Sequence, residues 1–447
     1  MLRNWRIGRA TDSARPERAF GTRIAQVLTR ARFESVSDLL YRRRDWVEPI
    51  AAFLLIRLVG MLVLERFTQL RGSSLGAALS AWDGKWMLAI AEHGYGGVPL
   101  TQTDAQGMRD SDTPYAFFPG YPLLAGALDK VPGFSPLGAA LTVNVVLGCL
   151  AAVGVARIGT LCAAQMQNRE HKSRLVPARF TAWFAEDIHR ADDGQVVRVK
   201  ADPRRAGLLL AVLFAAAPMG IVLSMAYTEA LFCALAAWAL IGVLERRWLL
   251  AGVCTMLAGL SRPTAVVLIV VVVVAAALRF RDGPRAWAAI VLSPLGYLGY
   301  LAVVWHKTGE PLGWFKIQTE GWDTRVDYGQ AAYEFINYAL VNSGEIAPVA
   351  TAWIMLITIA LALLSFAERV PWPVAVYGAL VVVSIGASSG LMMSRPRLLL
   401  PAFVLLIPIA IGLAKRRGST QILVSLAVVA FSSWFGAHML TVYPHAM

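Results

Sequence analysis

The sequence predicts an all-α polytopic membrane protein, and three observations predict it. Of 447 residues, 57% are apolar and 16% charged, whereas soluble domains carry about a quarter charged residues; mean hydropathy is +0.55. The apolar residues come in charge-free runs such as 206–225 and 286–304, close to the roughly 20 residues that carry a helix across a bilayer core. Lys and Arg, finally, gather in alternate connecting segments, as they do when they mark the cytoplasmic side.

Taken in order, the apolar runs predict spans at 47–65, 136–160, 206–225, 229–244, 248–261, 264–278, 286–304, 347–366, 371–390, 398–414 and 420–438, about 11 in all. Residues 1–46 hold eleven Arg and are expected in the cytoplasm. Alternation from there places 29 of the 42 Lys/Arg on the inner side, including nine in the loop 164–205. The domain organisation expected is a basic segment 1–46, one transmembrane domain 47–438 with outer loops 66–135 and 305–346, and a tail 439–447. Residues 116–128 are apolar but too few to span, and prolines interrupt them, so they are expected to lie in or re-enter the outer leaflet as a short helix. Residues 1–46 contain no apolar signal core, so the first span is expected to be an uncleaved anchor. Phe20, Ile24, Val27, Leu28, Phe33, Val36 and Leu40 recur at roughly helical spacing among arginines, which suits either a helix on anionic lipid or a plain positive-inside tail.

The net charge of +13 would suggest nucleic acid in a soluble chain; here it labels orientation, and no nucleic-acid partner is expected. Cys149, Cys162, Cys233 and Cys254 lie in or beside apolar runs without CxxC or Cys/His spacing, and read as packing residues. HExxH, GxGxxG and P-loop patterns are absent, which argues against nucleotide-sugar, NAD or ATP use. No metal or cofactor is expected.

The unusual polar residues all fall on the outer side: Asp83 and Glu92 in the first outer loop, Glu229 and Arg262 at two hairpins, Glu310 in the second large loop, and Arg395 and Arg397 at a later turn. An ion between apolar helices is costly unless it has a partner or a task. Each has an ordinary reading, since Trp and Tyr anchor any interface, Arg262 can simply pair with Glu229 and Glu310 can be a solvated loop charge. Together they match one chemistry. Transfer of a sugar from a lipid-phosphate donor needs a carboxylate to take the acceptor hydroxyl's proton and cations to hold the departing phosphate. Aromatic rings can stack on sugar, and apolar helices can admit the lipid tail.

Residues 82–95 (WDGKWMLAIAEHGY), followed about 20 residues later by AFFPGYPL (116–123), resemble the first luminal loop of the PIG-V family. These mannosyltransferases of the GT-C class add the second mannose to the glycosylphosphatidylinositol precursor in eukaryotes and have relatives in actinobacteria. AYTEALF (226–232) and GLSRPTAVVL (259–268) resemble that family's Tyr-Ser-Glu-Ser-Leu-Phe and Arg-Ser-Asn-Gly segments. The resemblance implies a GT-C glycosyltransferase fold, a plasma-membrane protein with an extracytoplasmic active site, a polyprenyl-phosphate-mannose donor, an inverting mechanism usually without metal, and Asp83 as the base. Trp86-Met87 stand where the eukaryotic sequences have His-Phe, Thr228 replaces Ser, and Pro263-Thr264 replace Ser-Asn. The acceptor, a membrane glycolipid or lipoglycan, is therefore expected to differ from a GPI precursor.

Asp83 is expected as the general base, against a helix-capping role. Arg262, Arg395, Arg397, His93 and Lys85 are the candidates for donor phosphate, although His93 can be structural and Lys85 a snorkelling lysine. Trp82, Trp86, Glu92, Tyr95, Tyr115, Phe117, Phe118, Tyr121, Tyr227 and Glu229 are expected at the substrate groove. The stretch before Gly94 reads as a helix ending there. Two other classes compete: a transporter or flippase of a lipid-linked sugar, which predicts repeats and midplane charges, and a non-catalytic assembly subunit, which keeps the fold without needing Asp83.

Overall fold

The computed structural model describes residues 43–167, the backbone of 187–190 and 196–199, and residues 200–443. The basic segment up to residue 42, with the amphipathic pattern over 20–40, lies outside the described residues, as do much of the inner loop and the last four residues. Residues Glu48–Met447 form one compact unit; Met1–Val47 are a unit of their own.

The architecture is helical, as expected from the apolar runs. The order is α1 (Arg44–Leu70), α2 (Leu75–Leu79), α3 (Asp83–His93), α4 (Gly120–Asp129), α5 (Pro136–Gln167), α6 (Pro203–Ala215), α7 (Glu229–Leu244), α8 (Trp248–Ala258), α9 (Ala265–Ala277) and α10 (Pro284–Thr308). It continues with α11 (Gly313–Trp322), α12 (Gln330–Val341), α13 (Ile346–Ala367), α14 (Trp372–Gly386), α15 (Arg395–Leu398), α16 (Ile407–Ala414) and α17 (Gly418–Thr441). Short 3₁₀ turns punctuate these, among them Gly220–Ser224 and Leu400–Leu406. One exception to the all-α expectation sits between α5 and α6, where β1 (Asp187–Arg190) pairs antiparallel with β2 (Val196–Val199), Asp187 opposite Val199.

A helix forms at each of the eleven apolar runs, and their lengths fall into two groups. Among the described residues five helices, α1, α5, α10, α13 and α17, are long and apolar enough to cross a membrane, or six if the segments Met392–Leu398 and Leu400–Ala414, bent by 57°, count as one. Helices α7, α8, α9 and α14 have 11 to 16 residues, which at 1.5 Å per residue is about 17–24 Å, short of a bilayer core of about 30 Å. The chain is a multi-pass membrane protein whose long helices frame shorter ones packed among them.

The predicted span 206–225 is broken. Helix α6 stops at Ala215, and Pro218, which cannot continue a helix ladder, lies in the gap. Side chains from two other helices meet the freed carbonyls: Arg57 Nη2 of α1 donates to Ala215 at 2.5 Å and Ser432 Oγ of α17 to Ala217 at 2.6 Å. Such compensation is what permits irregular backbone inside a membrane protein. All four cysteines are free thiols, three of them buried, in keeping with a packing role.

A close helix contact joins α5 and α6. A Cβ on Gly207 would fall 2.3 Å from both the Ala156 carbonyl oxygen and Thr160 Oγ1, so only glycine lets these backbones touch. Gly299 of α10, in contrast, has nothing within 4 Å of its Cβ position. Gly207→Val is expected to cost more than about 2 kcal/mol through overpacking, whereas Gly299→Ala is expected to gain about 0.5 kcal/mol from helix propensity; unfolding in mixed micelles distinguishes the two.

Candidate functional site

The segment 66–135 is assembled around a few close approaches. Ala226 N donates to the Leu79 carbonyl (2.9 Å) and Gly120 N to that of Leu260 (2.7 Å). A Cβ on Gly120 would come within 2.8 Å of the Leu260 oxygen, which accounts for glycine in the FPGYP segment. Buried Asn144 of α5 donates Nδ2 to the Tyr227 carbonyl (2.9 Å) and the Tyr121 hydroxyl (3.2 Å). These contacts tie the end of α2, the start of α4, the turn before α7 and the α8–α9 turn into one rim.

At that rim four ions meet. Glu229, the first residue of α7, is fully buried, and its Oε1 lies 2.5 Å from Arg262 Nη1 and 3.7 Å from Arg397 Nη1. The same Arg397 nitrogen lies 2.6 Å from Asp83 Oδ2, and its guanidinium stacks 5.1 Å from the centre of the Tyr227 ring. The helix N-terminus under Glu229 adds favourable dipole. Asp83 opens α3 but does not cap it: the capping position is Trp82, which makes no side-chain cap bond. Trp82 itself has φ of +54°, a costly backbone setting for a side chain of this size, placed directly before the carboxylate.

Asp83, Arg262, Arg397 and Tyr227 line one cavity of about 390 Å³. Its remaining wall is aromatic and apolar. Phe117 and Phe118 reach in from the first loop, with Phe117 stacked on Trp86 (5.3 Å) and Phe118 against Tyr300 (4.5 Å). The opposite wall was not among the expected site residues: Trp314, Gln318 and Trp322 of α11. They recur every fourth residue, which puts them on one helix face, and that spacing is the signal in the sequence. Gln318 Nε2 donates to the Ala116 carbonyl at 3.0 Å, fixing α11 to the first loop.

Arg395 also borders the cavity, but its donors are directed elsewhere. Nη1 donates to the Ile385 carbonyl (2.8 Å) and Ser388 Oγ (3.1 Å), and Nη2 to the carbonyls of Ser388 (2.5 Å) and Ser389 (2.7 Å). The turn it gathers is in turn strapped to the segment 323–327, through Ser389 Oγ donating to Asp323 O (2.5 Å), Arg325 N donating to Ser389 Oγ (3.0 Å) and Asp327 N donating to Ala387 O (3.1 Å). Burial raises the Asp327 pKa, but N–H donors from Ala331 and Gly329 and the nearby Arg395 charge outweigh it and hold the carboxyl below its usual value. Arg395 and Arg397, two residues apart on one short helix, project about 200° apart: one faces the ions, the other the strap.

Other expected site residues lie away from the cavity lining. Glu92 and His93 are exposed and face each other at 3.8 Å; nine residues after Asp83 is two and a half turns, which puts Glu92 on the opposite side of α3. Lys85 is exposed on the same helix. Tyr121 is fully buried and donates to the Ala140 carbonyl (2.9 Å). Tyr95 stacks on Tyr115 (4.8 Å) and donates to the Phe117 carbonyl (2.7 Å), and burial pushes its phenol pKa up. Trp86, Tyr95, Tyr115 and Tyr121 thus form a supporting layer behind Phe117 and Phe118, and Trp82 packs partly buried against the core.

No protein-family model matches the chain, and no curated protein sequence does. Among solved structures it is similar to ArnT from Cupriavidus metallidurans bound to undecaprenyl phosphate, with a TM-score of 0.47 and 15% sequence identity over 84% of this chain and 63% of that one. The chain thus spans less than two thirds of the length of that protein, and a likeness this shallow assigns neither fold family nor activity.

Arg395→Lys keeps the charge but cannot reproduce the fan of donors to the turn at 385–389. It is expected to cost about 3 kcal/mol, the loss of two charge-assisted bonds, and to make the 323–327 segment newly sensitive to protease, measured by unfolding and limited digestion in detergent.

Proposed function

We propose that the chain is a GT-C glycosyltransferase that moves a mannosyl residue, with inversion, from polyprenyl-phosphate-mannose to a glycolipid or lipoglycan acceptor on the extracytoplasmic face of the plasma membrane. The observation that carries this reading is the pairing in one cavity of a partly exposed carboxylate with two arginines held by a buried acid. Asp83, 25% exposed, takes the proton of the acceptor hydroxyl as that oxygen bonds to the anomeric carbon. The bond from that carbon to the phosphate oxygen breaks with its electron pair going to the phosphate, where Arg397 and Arg262 meet the growing charge. The aromatic faces of Phe117, Trp314 and Trp322 are suited to sugar rings, and the apolar residues Val266, Ile385 and Leu391 that also line the cavity suit the first isoprenyl units of the donor.

The sequence resemblance to the PIG-V family supports mannose as the sugar, and the distribution of Lys and Arg supports an extracytoplasmic site. Arg395 is left out of the phosphate clamp in this reading because its donors are occupied by the turn.

In membranes supplied with radiolabelled polyprenyl-phosphate-mannose, Asp83→Asn is expected to lower transfer into extractable lipid at least a hundredfold with the protein still inserted; undiminished transfer would sink the assignment. Purified protein given GDP-mannose alone is expected to transfer nothing, and direct use of that nucleotide sugar contradicts the reading. A cysteine placed at Gln106 in the first outer loop is expected to react with an impermeant thiol reagent added to intact cells; labelling only after lysis reverses the orientation.

A further inference from the structure

Two carboxylates share one nitrogen of Arg397: Asp83 at 2.6 Å and Glu229 at 3.7 Å. Glu229 has no exposure, lines no part of the cavity and is itself held by Arg262 at 2.5 Å. It therefore does not touch substrate, and yet it is the common partner of Arg262 and Arg397. The charges of Asp83, Glu229, Arg262 and Arg397 cancel, so the resting site holds no free cation within this cluster.

We propose that Glu229 is a positioning residue that acts on Asp83 through Arg397: by dividing that guanidinium between two acids it limits the positive charge that bears on Asp83, and it fixes Arg397 in place while negative charge passes from Asp83 to the leaving phosphate. This rests on the glycosyl-transfer reading above. The bookkeeping closes. Before transfer Asp83 and the phosphodiester donor each carry one negative charge. After transfer Asp83 is a neutral acid holding the acceptor's proton, and the phosphate, released as a monoester with the electron pair of the broken C–O bond, carries two. The cation beside Asp83 thus loses one partner at the moment the phosphate needs another, and Glu229 holds it within the cavity throughout. Were Asp83 the sole partner of Arg397, the full charge would bear on it and make it a poorer base.

The groups facing Asp83 are few. Arg397 comes from α15, Tyr227 and Glu229 from the start of α7, and Arg262 stands behind Glu229. Arg395 borders the cavity with its donors on carbonyls, Lys85 is exposed on the helix that Asp83 opens, and α11 contributes Trp314, Gln318 and Trp322 to the wall, none of them charged.

The test is the pH dependence of transfer from radiolabelled polyprenyl-phosphate-mannose into lipid, in native membranes containing each variant. Glu229→Gln frees Arg397 for Asp83, so the acidic limb of the turnover profile is expected to move down by about one pH unit and the plateau to fall about tenfold. Arg262→Gln releases Glu229 to Arg397 and is expected to move the limb up by a similar amount. Glu229→Asp keeps the buried pair with Arg262 but draws the charge back from Arg397, and is expected to lower the limb by less. A residue that only braces the fold moves no limb. Limbs that stay fixed, or that move the same way in Glu229→Gln and Arg262→Gln, overturn the proposal; where one variant fails to accumulate, the direction in the other and in Glu229→Asp decides it. If Asp83→Asn retains activity, the transferase reading itself falls; if Asp83→Asn is inactive while the limbs stay fixed, only the role of Glu229 does.

Discussion

A single carboxylate shielded from solvent is the constraint around which this end of the helix bundle is built. An isolated ionised acid in a medium of low dielectric is prohibitively costly, and Glu229, at the first turn of a helix with no solvent exposure, persists because two guanidinium groups reach it from other parts of the chain. Removing one partner of such a cluster costs about 3–5 kcal/mol, a large share of a protein's net stability. The turn between α8 and α9, the short helix α15 and the start of α3 are brought together by that requirement, and the cavity is the space they leave.

The two arginines of the Arg-Pro-Arg turn show how one short segment serves two ends. Arg397 belongs to the ions and faces Asp83. Arg395 faces away and gathers the carbonyls at the end of α14, whose turn then holds the segment 323–327 by main-chain and serine hydrogen bonds. The ionic centre and the aromatic wall of α11 are therefore fastened by neighbouring residues but by different forces: charge pairing on one side, hydrogen bonding to the backbone on the other.

Much of this was legible in the sequence. Helices formed at every long apolar run, α3 ends before Gly94 as read, and the ions at the ends of apolar runs, Asp83, Glu229, Arg262 and Arg397, do meet, because an ion there has few ways to be satisfied except by another. Helix length was less legible: hydropathy does not reveal that α6 stops at Ala215 and is completed by Arg57 and Ser432, side chains distant in sequence. Glu92 and His93 were misplaced for a reason the sequence already contained, since a helix carries them round to the far side from Asp83. The α11 wall was missed although Trp314, Gln318 and Trp322 keep a four-residue spacing, because what makes that face functional is the cavity opposite it, and no local pattern records a distant cavity. Arg395 could not be told from Arg397 without the turn that occupies it.

That wall has a consequence for how the protein can change. Helix α11 supplies none of the four ions, and it is joined to the rest of the rim by Gln318, by packing of Trp314 and by the strap at Ser389. It is a panel fastened separately from the ionic centre it faces. Substitutions along 314–322 can reshape the cavity while the charge cluster stays as it is, so in the transfer reaction proposed above the range of molecules admitted is free to change while the ionic centre stands still.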